Sequence, residues 1–178
     1  MPQKKNYEIK TSIDNYSATK NIVLKLSGKN KIIRKKEIQK DIYYRIPQGR
    51  LKLRIINNKS GTLILYDRNE SKRLRVSNYI LTNTKDFSNL HLTLSKLFPV
   101  LVIVEKVREI FLLENIRIHL DKVNNLGEFL EFEVVFNSFD KAKKQMMFLI
   151  DYFELNKRKF IKKSYSDLLL LKSKLKKK

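Results

Sequence analysis

Charged and apolar side chains alternate with a period of two in several segments of this chain. Within Arg50–Ile56, Arg50, Lys52 and Arg54 share one parity, and leucine and isoleucine occupy the other. Because successive side chains of a β-strand point to opposite faces, this period predicts a strand with one charged face and one apolar face. It does not fit the period of a helix, so these segments constrain a large part of the chain to a sheet.

The same alternation recurs at residues 6–12, 115–121 and 129–136, while Lys106 shares a parity with Arg108, and Arg68 shares one with Ile64 and Tyr66. The charged parity collects a basic set, which comprises Lys10, Arg50, Lys52, Arg54, Arg68, Lys106, Arg108 and Arg117. It also carries a separate acidic set, which comprises Glu8, Asp121, Glu131 and Glu133. We therefore expect these strands to present one face on which basic and acidic side chains are both concentrated.

Apolar residues at helical spacing predict helices over residues 17–26, 87–98 and 139–153, and a last helix that begins after Ser164 or Ser166. Ser17, Asp86 and Ser138 are the predicted N-caps of the first three. Strands joined by hairpins, with helices between and after them, predict a single α+β domain over residues 1–178 that contains an antiparallel sheet or barrel. The last helix ends in a basic tail, residues 172–178.

Packing decides where the charged faces point. Helices cover the apolar faces, so the charged faces share the other side, and in a sheet that curls into a barrel they line the interior. Charges confined there are costly unless they are paired or bound to a ligand. A polyphosphate with divalent cations meets both needs, because basic groups bind phosphate oxygens and carboxylates bind Mg²⁺ or Mn²⁺. The alternative is an ordinary half-exposed sheet whose charged face is solvated.

The formal net charge of +21 also suggests an anionic partner, but it discriminates poorly between functions. The chain is rich in Lys, Asn and Ile, as expected of an A+T-rich coding sequence, and this composition raises the charge without any function. The absence of cysteine excludes disulfides and thiolate metal sites. With His91 and His119 as the only imidazoles, a zinc site is not expected.

The sequence predicts a cytoplasmic protein that has no membrane partner. Residues 1–6 contain no apolar signal region. The longest apolar runs, residues 97–104 and 168–171, are far shorter than the roughly 20 residues that span a bilayer.

The charged strands form an ordered set of short motifs at residues 6–10, 39–43, 49–54, 63–68, 104–108, 117–121, 126–133 and 164–169. In this order, and over almost the whole chain, they resemble the CYTH family, also called triphosphate tunnel metalloenzymes. The resemblance is greatest to its class IV adenylate cyclase branch, alongside the thiamine triphosphatases. It implies a closed antiparallel β-barrel, typically of eight strands, with the helices packed outside.

The resemblance also implies roles for the charged residues. The family's N-terminal ExExK motif falls on residues 6–10, where Asn6 replaces the first glutamate. The implied ligands of Mg²⁺ or Mn²⁺ are Glu8, Asp121, Glu131 and Glu133. The implied triphosphate-binding residues are Lys10, Arg50, Lys52, Arg54, Arg68, Lys106, Arg108 and Arg117, and the implied catalytic residues are Lys10, Glu131 and Glu133.

Three further residues of these strands are assigned no part in the chemistry. His119 shares the charged parity, and we interpret it as a hydrogen-bonding side chain of the barrel interior. Glu105 and Glu109 have the opposite parity to Lys106, so we place them on the outer face.

Two reactions on a small triphosphate-bearing molecule fit such a site. The first expectation is hydrolysis of inorganic triphosphate, thiamine triphosphate or a nucleoside triphosphate. The second is cyclisation of ATP to cyclic AMP and pyrophosphate. We expect the protein to act as a monomer or a homodimer.

A noncatalytic protein that binds polyphosphate or RNA is a third hypothesis. The basic residues 29–36 and 172–178 suggest this hypothesis. Asn6 also suggests it, because the missing first glutamate of the motif would fit an inactive tunnel. Nucleic acid is not the partner we expect, because the basic strands lack interleaved aromatic side chains and share their face with carboxylates.

Overall fold

The computed structural model describes residues 5–26, 32–68, 77–155 and 160–175. Its strands are β1 (Lys5–Ser12), β2 (Ile33–Tyr44), β3 (Arg50–Ile56), β4 (Ser60–Arg68), β5 (Ser77–Thr84), β6 (Val100–Leu113), β7 (Ile116–Val123) and β8 (Gly127–Phe136). Its helices are α1 (Tyr16–Leu26), α2 (Phe87–Leu97), α3 (Phe139–Tyr152) and α4 (Tyr165–Leu175). The predicted α+β class and the eight antiparallel strands are confirmed.

The eight strands form one sheet in the order β1-β8-β7-β6-β2-β3-β4-β5. Every neighbouring pair is antiparallel. Within the described residues no backbone pairing joins the edge strands β1 and β5, so the predicted closed barrel is not confirmed. The hydrogen-bonded sheet is open.

The two faces of this sheet differ in chemistry. The inner face carries the alternate residues Glu8 and Lys10 of β1, Asp41 and Tyr43 of β2, Lys52 and Arg54 of β3, Lys106 and Arg108 of β6, Arg117, His119 and Asp121 of β7, and Glu131 and Glu133 of β8. The outer face carries the intervening residues, which are mainly apolar on β3, β7 and β8.

Burial on the inner face shows that the sheet curls. Lys10 on β1 is 5% exposed and Lys52 on β3 is 8% exposed, although these strands are five steps apart in the sheet. Five steps span roughly 24 Å in a flat sheet, and one helix is only about 10–12 Å wide. Since α4 is the one described helix that packs on this face, curvature of the sheet itself must remove much of the remaining water.

The outer face holds the main apolar cores. Helices α1 and α3 cover β7 and β8, where Val23 and Met146 pack with Ile118, Leu130 and Phe132. Helix α2 covers β3 and β4, where Leu94 of α2 packs with Leu53 of β3. Gly61 on β4 permits this approach, because a Cβ atom there would lie 2.6 Å from Cβ of Phe87.

Helix α4 packs on the inner face, which corrects the expectation that all helices lie outside. Its Tyr165 packs with Tyr43, Val104, Val123 and Phe129. These residues continue the charged parity of their strands toward one end of the face, where that parity becomes apolar. The change provides an apolar surface inside the curled sheet, and burial of Tyr165 against it stabilises α4 in this position.

Side-chain caps fix where two of the helices begin. Helix α1 is capped by Asn15 and not by the predicted Ser17, because Asn15 Oδ1 accepts a hydrogen bond from the backbone N–H of Ala18 at 2.9 Å. For α4 the cap is Ser164, whose Oγ accepts from the N–H of Asp167 at 3.2 Å, while the Asp167 carboxylate accepts from the N–H of Ser164 at 3.0 Å.

The predicted caps of the other two helices have different outcomes. Asp86 caps α2 as predicted, and its side chain accepts from the N–H of Asn89. Ser138 occupies the cap position of α3 without a side-chain hydrogen bond. The predicted basic tail begins inside α4, and residues 176–178 lie outside the described residues. None of the described helices has both the length and the apolar character that crossing a bilayer requires.

Candidate active site

Charge is sorted across the inner face by strand. The carboxylates Glu8, Glu131 and Glu133 lie on the neighbouring strands β1 and β8. The cations Lys52, Arg54 and Lys106 lie on β3 and β6, on the other side of β7. The face therefore has an acidic half and a basic half, and both are largely withdrawn from water.

Glu131 is the most buried carboxylate of the acidic half, with 6% of its surface exposed. Its Oε2 lies 3.6 Å from Lys10 Nζ and 3.3 Å from Arg108 Nη2. Burial opposes its ionisation, but Lys10 and Arg108 hold the pKa of Glu131 well below the usual range. Glu131 is therefore a permanent carboxylate at neutral pH.

The register between β1 and β8 places two carboxylates opposite each other, next to a pair of opposite charges. Glu8 pairs with Glu133, and Lys10 pairs with Glu131. Carboxylates that face each other across a strand pair are destabilising unless a cation lies between or beside them. Lys10 provides one such cation, with its Nζ 3.9 Å from Glu8 Oε1. Arg117 also lies beside Glu133, 3.5 Å away, and a divalent ion between the carboxylates would offset their repulsion further.

His119 of β7 completes a group that fits such a cation. Its Nδ1 lies 3.9 Å from Glu131 Oε1 and 3.9 Å from Glu133 Oε1, and the three ligand atoms lie within 4.8 Å of one another. Two ligands of one metal ion with bonds of about 2.1 Å can be at most about 4.2 Å apart. A small inward movement would let all three share one divalent ion, so these residues fit a metal site.

The Nδ1 atom of His119 has no hydrogen-bond partner among the described residues. His119 is 5% exposed, and its Nδ1 makes no hydrogen bond there. The expected role of His119 as a hydrogen-bonding side chain is therefore not seen for this atom. Buried polar atoms are nearly always satisfied, so an unpaired one points to a missing ligand or water.

Asp121, predicted as a metal ligand, contacts two neighbouring side chains. Its oxygens accept hydrogen bonds from Arg108 Nε and Nη2, both at 2.6 Å, and Oδ2 accepts a third from the Tyr165 hydroxyl at 2.7 Å. Burial raises its pKa, but Arg108 outweighs this and leaves the pKa below its ordinary value. Asp121 is thus placed to hold Arg108 in one orientation.

Asp41 is the centre of the basic half, and the sequence analysis assigned it no role. Its carboxylate accepts hydrogen bonds from Lys52 Nζ at 3.0 Å, from Arg54 Nε at 2.7 Å and from Lys106 Nζ at 3.3 Å. Burial opposes its ionisation, but these cations hold the pKa of Asp41 well below the usual range. One carboxylate thus orders three cations and leaves them a net positive charge.

Burial also changes the pKa of two lysines of this cluster, and the first is Lys106. Burial lowers the pKa of this ammonium group to about 7, and the attraction of Asp41 offsets only part of the effect. Burial likewise lowers the pKa of Lys52. An anion that enters the basic half would favour the charged form of both lysines.

Three predicted phosphate-binding arginines lie apart from this cluster or cannot be placed. Arg50 contacts α4, where it donates to Ser164 Oγ at 3.1 Å and lies 3.1 Å from an Asp167 oxygen. Arg117 has a 45% exposed side chain, 3.5 Å from Glu133, and lies at the rim. Arg68 ends β4, and its side chain lies outside the described part of the structure.

Glu105 and Glu109 have the outer-face positions that we expected. Glu109 bonds to the hydroxyl of Tyr16 on α1 and to Arg34 of β2, and Glu105 lies 3.5 Å from Lys40. Glu109 is buried beneath these partners and Glu105 is exposed, and both carboxylates lie away from the inner face.

Sequence reasoning also missed two inner-face tyrosines. Tyr43 lies beside Lys52, whose Nζ donates to its hydroxyl at 3.4 Å, and Tyr165 lies under Lys10, whose Nζ is 4.3 Å from the ring centroid. The parity of Tyr43 with Asp41 was a visible signal in the sequence. No local signal placed Tyr165 here, because it belongs to a helix.

Comparison with known proteins gives a consistent assignment. The CYTH domain matches residues 4–165 of this chain. A Methanocaldococcus jannaschii protein named "putative adenylate cyclase" is 28% identical over 167 residues, which cover 83% of this chain and 95% of the relative.

Two proteins of Pyrococcus horikoshii share the fold. The structure of PH1012 is 23% identical and superposes with a TM-score of 0.80, covering 92% of this chain and 98% of that one. The structure of PH1819 is 26% identical with a TM-score of 0.67, covering 94% and 99%. Together with the match over residues 4–165, these likenesses confirm the resemblance, and this chain belongs to the CYTH family.

Proposed function

We propose that this protein is a metal-dependent enzyme that binds a triphosphate-bearing small molecule on the inner face and processes its triphosphate. The observation that carries the proposal is the sorting of buried charge on that face. Carboxylates lie on β1 and β8, and a cluster of cations with net positive charge lies on β3 and β6. Buried charge of this kind is stable when a ligand of complementary charge completes it.

The basic half fits phosphate. Lys52, Arg54 and Lys106 converge on one carboxylate, and phosphate oxygens accept charge-assisted hydrogen bonds from the same groups. Arg108 lies between the two halves and is held by Asp121. We assign Lys10, Lys52, Arg54, Lys106 and Arg108 to the triphosphate.

The acidic half fits the divalent ion that accompanies a triphosphate. We assign Glu131 and Glu133 as metal ligands, with Glu8 beside them, and we assign Asp121 to positioning Arg108. A bound Mg²⁺ or Mn²⁺ supplies Lewis-acid polarisation of the phosphoryl oxygens. The basic side chains neutralise the charge that develops on the leaving phosphate and align the substrate for attack.

Hydrolysis is the first reaction we assign to the site. A water oxygen attacks the terminal phosphorus, the bond from that phosphorus to its bridging oxygen breaks, and the diphosphate end leaves with the bridging oxygen. The basic side chains are assigned to the triphosphate, which these substrates have in common, so the same contacts serve each of them. We rank this reaction first because each contact we assign among the described inner-face residues serves phosphate or metal.

Cyclisation of ATP is the second candidate, and the name of the Methanocaldococcus jannaschii relative favours it. There the ribose 3′-hydroxyl oxygen attacks the α-phosphorus, and pyrophosphate leaves. The same cations would stabilise the leaving pyrophosphate. The two reactions differ in which phosphorus is attacked and in which oxygen attacks it.

Product analysis tests the proposal. The purified protein is incubated with inorganic triphosphate, thiamine triphosphate or ATP, each with Mg²⁺ or Mn²⁺ and each with a chelator control. We expect phosphate release that requires the metal, and cyclic AMP with pyrophosphate would establish the second candidate instead. If no product forms while polyanions bind with steep salt dependence and no need for metal, the protein is a noncatalytic binder.

Lys106 gives the proposed phosphate site a pH signature. Its pKa of about 7 leaves it mostly neutral at pH 8, and bound phosphate raises that pKa, so binding takes up a proton. The affinity for inorganic triphosphate should therefore fall as pH rises above 7. Calorimetry at pH 8 in buffers of different ionisation enthalpy measures the uptake.

The Lys106→Arg variant is the matched control for this measurement. Arginine keeps the positive charge at all these pH values, so it should bind without the additional proton. The difference between wild type and variant isolates the lysine from the titration of the ligand itself. Equal uptake by both proteins would contradict the assignment of Lys106 to the phosphates.

A further inference from the structure

We infer that His119 is a third metal ligand and that the site therefore prefers a first-row transition-metal ion such as Mn²⁺ or Co²⁺ over Mg²⁺. The inference rests on the proposed function, because it assumes that Glu131 and Glu133 hold the ion. It adds a ligand and a metal preference that the acidic residues alone do not imply.

The position of the imidazole carries the inference. Nδ1 lies 3.9 Å from one oxygen of each carboxylate, which is too far for a hydrogen bond to either. A protonated imidazole that simply paired with a carboxylate would approach it to about 2.7–2.9 Å. Equal separation from both oxygens leaves a space between the three atoms where an ion can lie.

Burial leaves this nitrogen little access to bulk water. His119 is 5% exposed, Glu131 is 6% exposed, and Nδ1 makes no hydrogen bond among the described residues. The pairing of β7 with β8 places His119 directly opposite Glu131, so the register keeps the two residues side by side on the inner face. The unpaired atom is thus held toward the two carboxylates.

The chemical type of the three donor atoms determines which metal ion the site prefers. Mg²⁺ requires near-octahedral oxygen ligands and keeps several of its waters. Imidazole nitrogen binds first-row transition ions more strongly, and a set of one nitrogen and two carboxylates combines both kinds of donor. Replacing one oxygen ligand by nitrogen should therefore favour Mn²⁺ or Co²⁺ relative to Mg²⁺.

Electron paramagnetic resonance with Mn²⁺ tests this on the full-length protein. Continuous-wave spectra measure the free ion and hence the dissociation constant, and competition with Mg²⁺ gives the preference. Pulsed spectra detect a directly bound ¹⁴N nucleus, and this readout needs no variant. The variants are His119→Gln and Glu133→Gln, with His91→Gln as the matched control, since His91 contacts Tyr44 and Ser95 at α2.

We expect a ¹⁴N coupling in the wild type and in His91→Gln, and its loss in His119→Gln. The preference for Mn²⁺ over Mg²⁺ should fall at least about tenfold in His119→Gln, because changes to the outer shell of a metal site already cost about tenfold to a hundredfold in affinity. Thermal unfolding checks that each variant is folded, and His119→Asn replaces His119→Gln if the latter is not.

The other outcomes separate the two proposals. If the wild type shows no ¹⁴N coupling and His119→Gln keeps its preference, while Glu133→Gln loses Mn²⁺, then His119 is not a ligand and the carboxylate site stands. If neither variant changes Mn²⁺ binding, both the inference and the metal assignment of the proposed function fail.

Discussion

Replacing Glu133 by glutamine is expected to reduce metal-dependent turnover at least about a hundredfold, at the upper end of what losses around a metal site cost. Glutamine keeps the shape of the side chain but removes the charge that holds a divalent ion. The carboxylate belongs to the group of three ligand atoms, and its register partner is Glu8. Turnover would be measured with the substrate and metal that give most product in the wild type.

The folded state should tolerate this change. Glu133 has a 14% exposed side chain, and its ion pair with Arg117 is long, at 3.5 Å. Removing one of two facing carboxylates also relieves repulsion. We therefore expect an unfolding midpoint close to that of the wild type, so that lost activity reports the site and not the fold.

Raising the metal concentration distinguishes a loss of metal binding from a loss of the chemical step in Glu133→Gln. If Glu133 acts as a ligand, excess Mn²⁺ should restore part of the turnover, because the remaining ligands still bind weakly. Glu131→Gln should lose turnover as well, although its contacts with Lys10 and Arg108 make some loss of stability expected.

Glu128→Gln is the matched control. Glu128 lies on β8 but on the outer face, where it forms an ion pair with Lys122 at 2.7 Å. Exposed pairs of this kind contribute little, so the control should keep its activity and stability. Full activity in both Glu131→Gln and Glu133→Gln would exclude the metal assignment.

The second large effect concerns stability, and it comes from Asp41. Asp41→Asn should lower the free energy of unfolding by about 3–5 kcal/mol, because removing one partner of a buried ionic cluster leaves uncompensated charge. The carboxylate is 2% exposed, and Lys52, Arg54 and Lys106 would lose their shared counter-charge. Urea denaturation at pH 7 measures the change.

Inorganic triphosphate should stabilise this variant more than the wild type. The anion supplies the negative charge that asparagine lacks, and a ligand that binds only the folded state raises its stability. Asp140→Asn, an exposed position in the first turn of α3, is the control and should change little. Equal stabilisation of Asp41→Asn and wild type by triphosphate would show that the cluster does not bind it.

The pH dependence of the difference has a definite sign. The folded-state pKa of Asp41 is depressed, so its contribution is fully present above the ordinary value of about 4 and is lost as pH falls through the folded-state pKa. The stability gap between wild type and Asp41→Asn should therefore narrow in acid. A gap that widens below pH 4 would contradict the arrangement of charges described above.

The sequence by itself determined which residues share a face. The alternation in β3, β7 and β8 placed Lys52 with Arg54 and Glu131 with Glu133, because side-chain direction in a strand depends only on parity. The motifs carried by these strands also indicated the family, which the match over residues 4–165 confirms. These features depend only on the local sequence, so they can be predicted without knowing which strands pair with each other.

Only the tertiary structure decided which of these groups meet. Asp41 contacts cations from β3 and β6 because β2 lies between those strands, and strand order is set by long-range pairing. The same holds for His119, which faces Glu131 through the register of β7 with β8. The open edges of the sheet and the inner position of α4 follow from packing, since the apolar surface for Tyr165 exists only when the four strands β2, β6, β7 and β8 have assembled.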